Sequence, residues 1–116
     1  MIDEDDAVDW DAALESVQGR RELLRELIDI FFQEYPELMS QIDRALEENE
    51  PQTLHVAAHR LKGCLRYFGK NRSGDLASQL EMLGRAGTVE GGRSLFRQLE
   101  SALERWTSAL RSRAEF

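Results

Sequence analysis

The sequence predicts an all-α protein: an antiparallel up-down four-helix bundle with a short additional N-terminal helix. Three observations carry that expectation. Apolar residues recur at spacings of three and four along four long stretches, the mark of helices that bury one face. The chain has only two prolines and almost no β-branched runs, so its composition favours helix over strand. The stretches are joined by short turn-like connections, which set successive helices side by side in opposite directions. A length of 116 residues suits a single domain with one modest core.

Asp9 is placed to cap a short first helix that runs to about residue 17, with Trp10, Ala13 and Leu14 on its apolar face. "QGR" at 18–20 breaks it. A long second helix is expected from about 21 to 48, striped by Leu23, Leu24, Leu27, Ile28, Phe31, Tyr35, Leu38, Ile42, Ala45 and Leu46. Pro36 lies inside it, so a kink or one-turn break is expected there. "EENEP" ends that helix and opens the third, with Pro51 in its first turn, where a missing N–H costs nothing. The third helix runs to about 68 and stops at Gly69. "KNRSG" reads as a loop. Ser73 is expected to cap a fourth helix over 75–85, burying Leu76, Ala77, Leu80 and Leu83. After the turn "GRAGT", Thr88 is expected to cap the last helix, 89–113, whose first turn is weakened by Gly91 and Gly92. Its stripe is Leu95, Phe96, Leu99, Ala102, Leu103, Trp106, Ala109 and Leu110. Residues 1–8 read as an acidic, solvated N-terminal tail and 112–116 as a fraying C-terminal tail.

Composition narrows the function classes. With 41% hydrophobic and 32% charged residues, the balance is that of a soluble globular domain. No apolar run approaches the roughly 20 residues that span a bilayer, and "MIDEDDAVDW" has neither the basic nor the apolar region of a signal peptide. A single cysteine forms no intrachain disulfide, and a reducing cytoplasm is the simplest compartment. A net charge of −7 argues against nucleic acid as a partner. The chain also lacks a Gly-rich nucleotide loop, so a self-contained kinase is not expected.

The informative stretch is "HRLKGCLRYFG", 59–69. On a wheel at roughly 100° per residue, Leu54, Ala57, Ala58, Cys64, Leu65 and Phe68 fall within about 60° of Leu61. That arc is the core face, with Cys64 read as a small core filler. His59 falls at roughly 160°, among Gln52, His55, Val56, Lys62, Gly63 and Arg66. It should therefore stand exposed on the middle of a rigid helix. Gly63, four residues on, lies beside it and leaves room for an approaching surface. Lys62, three residues on, can reach an anion attached to the ring. From 59 to 74 there are five basic residues (Arg60, Lys62, Arg66, Lys70 and Arg72) and no acidic one. In so acidic a chain, that inversion marks a place for an acidic partner or a phosphoryl group. A neutral imidazole is a nucleophile near pH 7 and can carry a phosphoryl group on nitrogen.

"AHRLKGCLRYFG" closely resembles the signature of histidine-containing phosphotransfer (HPt) domains of two-component phosphorelays, A-H-x-L-K-G-small-small-x-x-F/L-G. The resemblance covers nearly the whole chain: "DWDAALESVQGRRELLRELIDIFFQEYPELM" looks like the first two helices of the family and "LASQLEMLGRAG" like its fourth. It implies one HPt domain over 1–116, with His59 as phosphoacceptor, Lys62 as phosphate-stabilising cation and Gly63 as the clearance for a docking receiver domain. In such domains a Gln or Glu on the next helix commonly holds the other imidazole nitrogen; alignment puts Glu81 there. A carboxylate at that nitrogen would fix the tautomer and raise the nucleophilicity of Nε2. Arg85 matches a basic position of some members, and Arg66, His55 and Lys70 join it on the docking and phosphate face. Two residues depart from the pattern. Leu65 replaces a small residue and, lying on the core arc, alters packing; Lys70 replaces alanine and adds charge to the docking face.

The implied role is that of a phosphoryl carrier and not an enzyme. His59 would accept the group from a receiver aspartyl phosphate and pass it to another receiver, the partner supplying Mg²⁺. The chain would need no cofactor of its own and would act as a monomer in the cytoplasm, free-standing or as part of a hybrid kinase. The rival reading is a helical docking module that uses the same face without phosphorylation. "HVAAH" could edge a metal site, but zinc-protease and di-iron helices place glutamates where this sequence has Val56 and Gln52, so no metal is expected.

Overall fold

The computed structural model describes residues 7–112, and the expected acidic tail and fraying C-terminal tail fall almost wholly outside them. Five helices follow in order: α1 (Trp10–Ser16), α2 (Arg21–Glu47), α3 (Pro51–Arg66), α4 (Arg72–Arg85) and α5 (Gly92–Ser112). No strand occurs among the described residues. The protein is an all-α helical bundle: α3 packs between α2 and α4, α4 packs on α5, and α5 closes back on α2. None of the described helices is long and apolar enough to cross a membrane.

The core lies where the apolar stripes converge. Leu24, Ile28 and Ile42 from α2, Leu54, Leu61 and Leu65 from α3, Leu80 from α4, and Leu99 and Leu110 from α5 are essentially inaccessible. At one end the rings of Phe31, Phe68 and Trp106 meet edge to face, with centroids 5.3–5.8 Å apart. Each ring comes from a different part of the chain, so this contact ties α2 and α5 to the end of α3. Such pairs add about 0.5–1.5 kcal/mol each beyond their area burial.

Four boundaries differ from the sequence-based expectation. The long helix runs without a break through Pro36. The missing N–H removes one bond of the ladder, but the buried stripe continues on both sides, from Phe31 to Leu38 and Ile42, and tertiary packing holds the helix together. The third helix ends at Arg66, and Gly69 (φ +82°) turns the chain beneath α1, close to Ala12 and Asp9. Helix α4 begins at Arg72, because its cap is Asn71 and not Ser73: the Asn71 Oδ1 accepts from the Gly74 N–H at 2.7 Å. Ser73 is instead buried in the first turn, its hydroxyl without a partner. Helix α5 begins at Gly92. Thr88 caps only a local turn, accepting from the Glu90 N–H at 3.0 Å, and Gly91 (φ +81°) takes the chain out of helical geometry. Gly92 sits against the Leu46 side chain of α2, where a Cβ would lie 2.5 Å from Cδ2 and the leucine would have to shift.

The start of α3 follows the expected logic. Asn49 adopts φ +55°, the Glu50 N–H returns to the Ala45 carbonyl at 2.8 Å, and Pro51 opens the new helix. That turn sets α3 alongside α2. The opposite side of α3 approaches α4 unusually closely at Gly84, where a Cβ would stand 2.5 Å from the Pro51 carbonyl oxygen and 2.6 Å from the His55 nitrogen. A glycine at this crossing lets the two backbones touch.

Candidate functional site

Leu54, Ala57, Ala58, Leu61 and Leu65 turn inward from α3, which leaves the opposite face of the helix to solvent. His59 stands on that face with 62% of its side chain exposed. Its Nδ1 lies 2.7 Å from Oε2 of Glu81 on α4. The other carboxylate oxygen, Oε1, accepts from Lys62 Nζ at 2.5 Å. Arg85, one turn beyond Glu81, brings a guanidinium nitrogen to 3.5 Å from Oε2. Glu81 is only 3% exposed, so one buried carboxylate underlies the exposed imidazole and gathers three nitrogen groups.

Electrostatics decide the tautomer. Burial alone pushes the Glu81 carboxyl up, but the hydrogen bonds from Lys62 and His59, reinforced by their charges, outweigh it and hold the group below its usual 4.5. Glu81 is therefore ionised at neutral pH and can only accept. A neutral His59 ring then donates from Nδ1 to the carboxylate and leaves its lone pair on Nε2. The arrangement turns one ring nitrogen toward solvent while the other is fixed to a buried anion, a geometry suited to nucleophilic attack by the neutral ring.

Access to that nitrogen is open. Gly63 is exposed, and a Cβ added to it would meet no atom within 4 Å. Beyond Gly63 a groove of about 870 Å³ opens between α2 and α3, lined by Leu27, Ile30 and Glu34 on one side and Arg60, Gly63 and Tyr67 on the other. Ile30 and Tyr67 are among the large apolar side chains left exposed, at 47% and 51%. Sequence reasoning missed Ile30, Glu34 and Tyr67. The signal for Ile30 was present, since it is apolar and lies off the buried stripe of α2. Cys64, expected in the core, is half-buried on the wall of this groove, with Sγ 3.6 Å from Glu34 Oε2. Burial first, and then the Glu34 charge and hydrogen bond, push its thiol above 9.0, so it is not a reactive thiolate at neutral pH.

The remaining expected residues divide into two groups. Arg66 and Lys70 are exposed and, with Lys62, line a hollow of about 230 Å³ between the end of α3 and the start of α4. They lie outside the Glu81 cluster. His55 is half-buried one turn before His59, the two ring centroids 6.4 Å apart, and its Nδ1 is buried without a partner. Among the described residues no group of three or more His, Cys, Asp or Glu side chains could hold a metal ion.

Residues 26–109 match the family described as Hpt domain. The chain is 27% identical over 90 residues to the signal transduction histidine-protein kinase BarA of Shigella flexneri, and equally to that of Escherichia coli. Each match covers 78% of this chain and 10% of the relative, so the chain spans about a tenth of the length of the curated proteins it matches. No solved structure gives a significant match. The family match covers α3, α4, nearly all of α5 and most of α2, and includes every member of the His59 cluster: this chain belongs to the Hpt domain family.

Proposed function

We propose that this chain carries phosphoryl groups between receiver domains, with His59 as the acceptor. One observation supports the reading above all others: an exposed imidazole whose Nδ1 is tied at 2.7 Å to a buried, ionised carboxylate. In the proposed step, the His59 Nε2 lone pair attacks the phosphorus of a receiver aspartyl phosphate. An N–P bond forms, the P–O bond to the aspartyl carboxyl breaks, and that carboxylate departs with the electron pair. The ring becomes cationic as it does so, and the Glu81 charge beneath Nδ1–H stabilises it. The step needs positioning and charge neutralisation more than covalent machinery. Lys62 supplies a cation on the chain's own side, and the receiver brings the Mg²⁺. Gly63 leaves the approach clear, and the α2–α3 groove with Ile30 and Tyr67 gives a receiver an apolar seat next to the reacting nitrogen. Arg66 and Lys70 extend a basic rim toward an acidic partner. The chain acts in this scheme as a monomeric cytoplasmic carrier, with no catalytic centre or cofactor of its own.

The test is transfer from a phosphorylated receiver to the wild-type chain and to His59→Gln. The wild type gains acid-labile, base-stable phosphate and passes it to a second receiver. The variant, which folds normally because the site is exposed, gains none. Phosphate retained in His59→Gln would defeat the assignment. Receiver binding without phosphate transfer by the wild type would favour a pure docking module instead.

A further inference from the structure

The resting structure holds Lys62 on the wrong anion for its proposed task. Its Nζ is 2.5 Å from Glu81 Oε1, and its side chain is only 22% exposed. To reach a phosphoryl group on His59, the ammonium must leave that oxygen. A carboxylate that is 3% exposed would then lose the donor of Oε1, and burial of an unsatisfied charged oxygen is strongly unfavourable. A second cation stands ready. Arg85 is already 3.5 Å from Oε2, with 66% of its side chain free in solvent, one helical turn along the same helix. A guanidinium presents a planar fork that can serve both oxygens of a carboxylate, which an ammonium cannot do.

We propose that Arg85 is a positioning residue that acts through Glu81: when His59 is phosphorylated, Lys62 moves from Glu81 to the phosphoryl oxygens and Arg85 closes on the vacated carboxylate. The proposal rests on His59 being the acceptor. It separates Arg85, which is paired with Glu81, from Arg66 and Lys70, which line the hollow beside Lys62 and are not among the cations on the carboxylate. No covalent bond is made or broken in the exchange: Lys62 changes its anion, Arg85 closes further on the carboxylate it already neighbours, and the net charge of the cluster is unchanged. With Arg85 closed on it, the carboxylate keeps a cation at its surface while its Oε2 still accepts from Nδ1, and the phosphorylated ring keeps its orientation. Without Arg85, Glu81 retains Lys62, and the phosphoryl group is left without the cation that stabilises it.

The experiment uses phosphoramidate as donor, so that receiver docking plays no part, and follows loss of phosphohistidine after the donor is removed. Arg85→Ala shortens the phosphohistidine lifetime by roughly three- to ten-fold, in the lower part of the range for a coupled neighbour pair. Arg85→Lys, which keeps the charge but loses the fork, restores only part of it. The decisive arm is the same Arg85→Ala change in a Glu81→Gln background. The neutral amide of that background cannot hold Lys62 as an ion pair, so the lysine is already free and the effect of Arg85 disappears. NMR of the Lys62 ammonium reports the exchange directly, shifting on phosphorylation in the wild type and much less in Arg85→Ala. An unchanged lifetime in Arg85→Ala overturns the proposal. So does an effect of equal size in the Glu81→Gln background, which would mean that Arg85 contacts the phosphoryl group directly. Failure of the wild type to form phosphohistidine with any donor, receiver or phosphoramidate, would instead refute His59 as acceptor and remove the state on which Arg85 acts.

Discussion

Two glycine-to-alanine changes, each in a helix flanking the site, should have opposite signs. At Gly63, in the last turn of α3, an added methyl meets nothing within 4 Å, so alanine gains up to about 1 kcal/mol of helix propensity without a packing cost. At Gly84, in the last turn of α4, the same methyl would lie 2.5 Å from the Pro51 carbonyl oxygen, 2.6 Å from the His55 nitrogen and 3.0 Å from the His55 Cα. These are backbone atoms of the first turn of α3, where the His55 N–H points toward the Pro51 carbonyl in regular helical geometry. They cannot swing aside as a side chain would, so the cost belongs near the top of the overpacking range, about 3 kcal/mol. Less a propensity gain of up to about 1 kcal/mol, Gly84→Ala loses about 2 kcal/mol. The two variants should then differ by about 3 kcal/mol, or about 2 M in urea midpoint for a domain of this size. Urea unfolding followed by far-UV circular dichroism reads the difference. Equal midpoints would refute the close α3–α4 crossing, and with it the route by which Glu81 reaches His59, since the 2.7 Å contact spans that same interface.

Two further outcomes follow from named groups. Glu81 has its folded pKa lowered, so its ionised form contributes stability fully above the usual 4.5 and loses it as pH falls through the folded value. The stability difference between wild type and Glu81→Gln, measured by urea unfolding from about pH 4.5 down to acid, should shift against the wild type as the carboxylate is protonated; a pH-independent difference over that range would show that the carboxylate gains nothing from its neighbours. Asn71→Ala removes the acceptor of the Gly74 N–H and should cost about 1 kcal/mol, while Ser73→Ala costs far less because its hydroxyl has no partner to lose.

Much of the fold was legible because the signals were local and repeated. The apolar stripes of α2 through α5 needed only the helical period, and Asp9 and Pro51 mark helix starts by chemistry that acts within one turn. Where reading failed, a tertiary contact overrode a local cue. Pro36 argued for a kink or a one-turn break; the helix is unbroken there, because the core on either side bridges the missing bond. Ser73 and Asn71 are both good capping residues, and sequence alone could not weigh the turn at Gly69, which sets the chain up for Asn71. Gly91 and Gly92 were read as one weak helical turn; one is a stop and the other a contact residue.

The site was legible to a different depth. The wheel placed His59 outward with Lys62 and Gly63 beside it, because all three lie on one helix. The partner on α4 needed the family resemblance, since no periodicity within α3 points to Glu81. Neither route showed that Lys62 rests on Glu81 or that Arg85 shares the carboxylate, because those contacts depend on the separation of two helices. The α2–α3 groove escaped for the same reason: Ile30 and Tyr67 are 37 residues apart in sequence and meet only in the folded bundle.

The most direct measurement is nitrogen NMR of the His59 ring in uniformly ¹⁵N-labelled protein, before and after phosphorylation. A protonated Nδ1 at neutral pH, with phosphorus coupling to Nε2 once the group is attached, is the result that follows from the Glu81 contact. A proton on Nε2 in the resting protein, or phosphorus bonded to Nδ1, would contradict it.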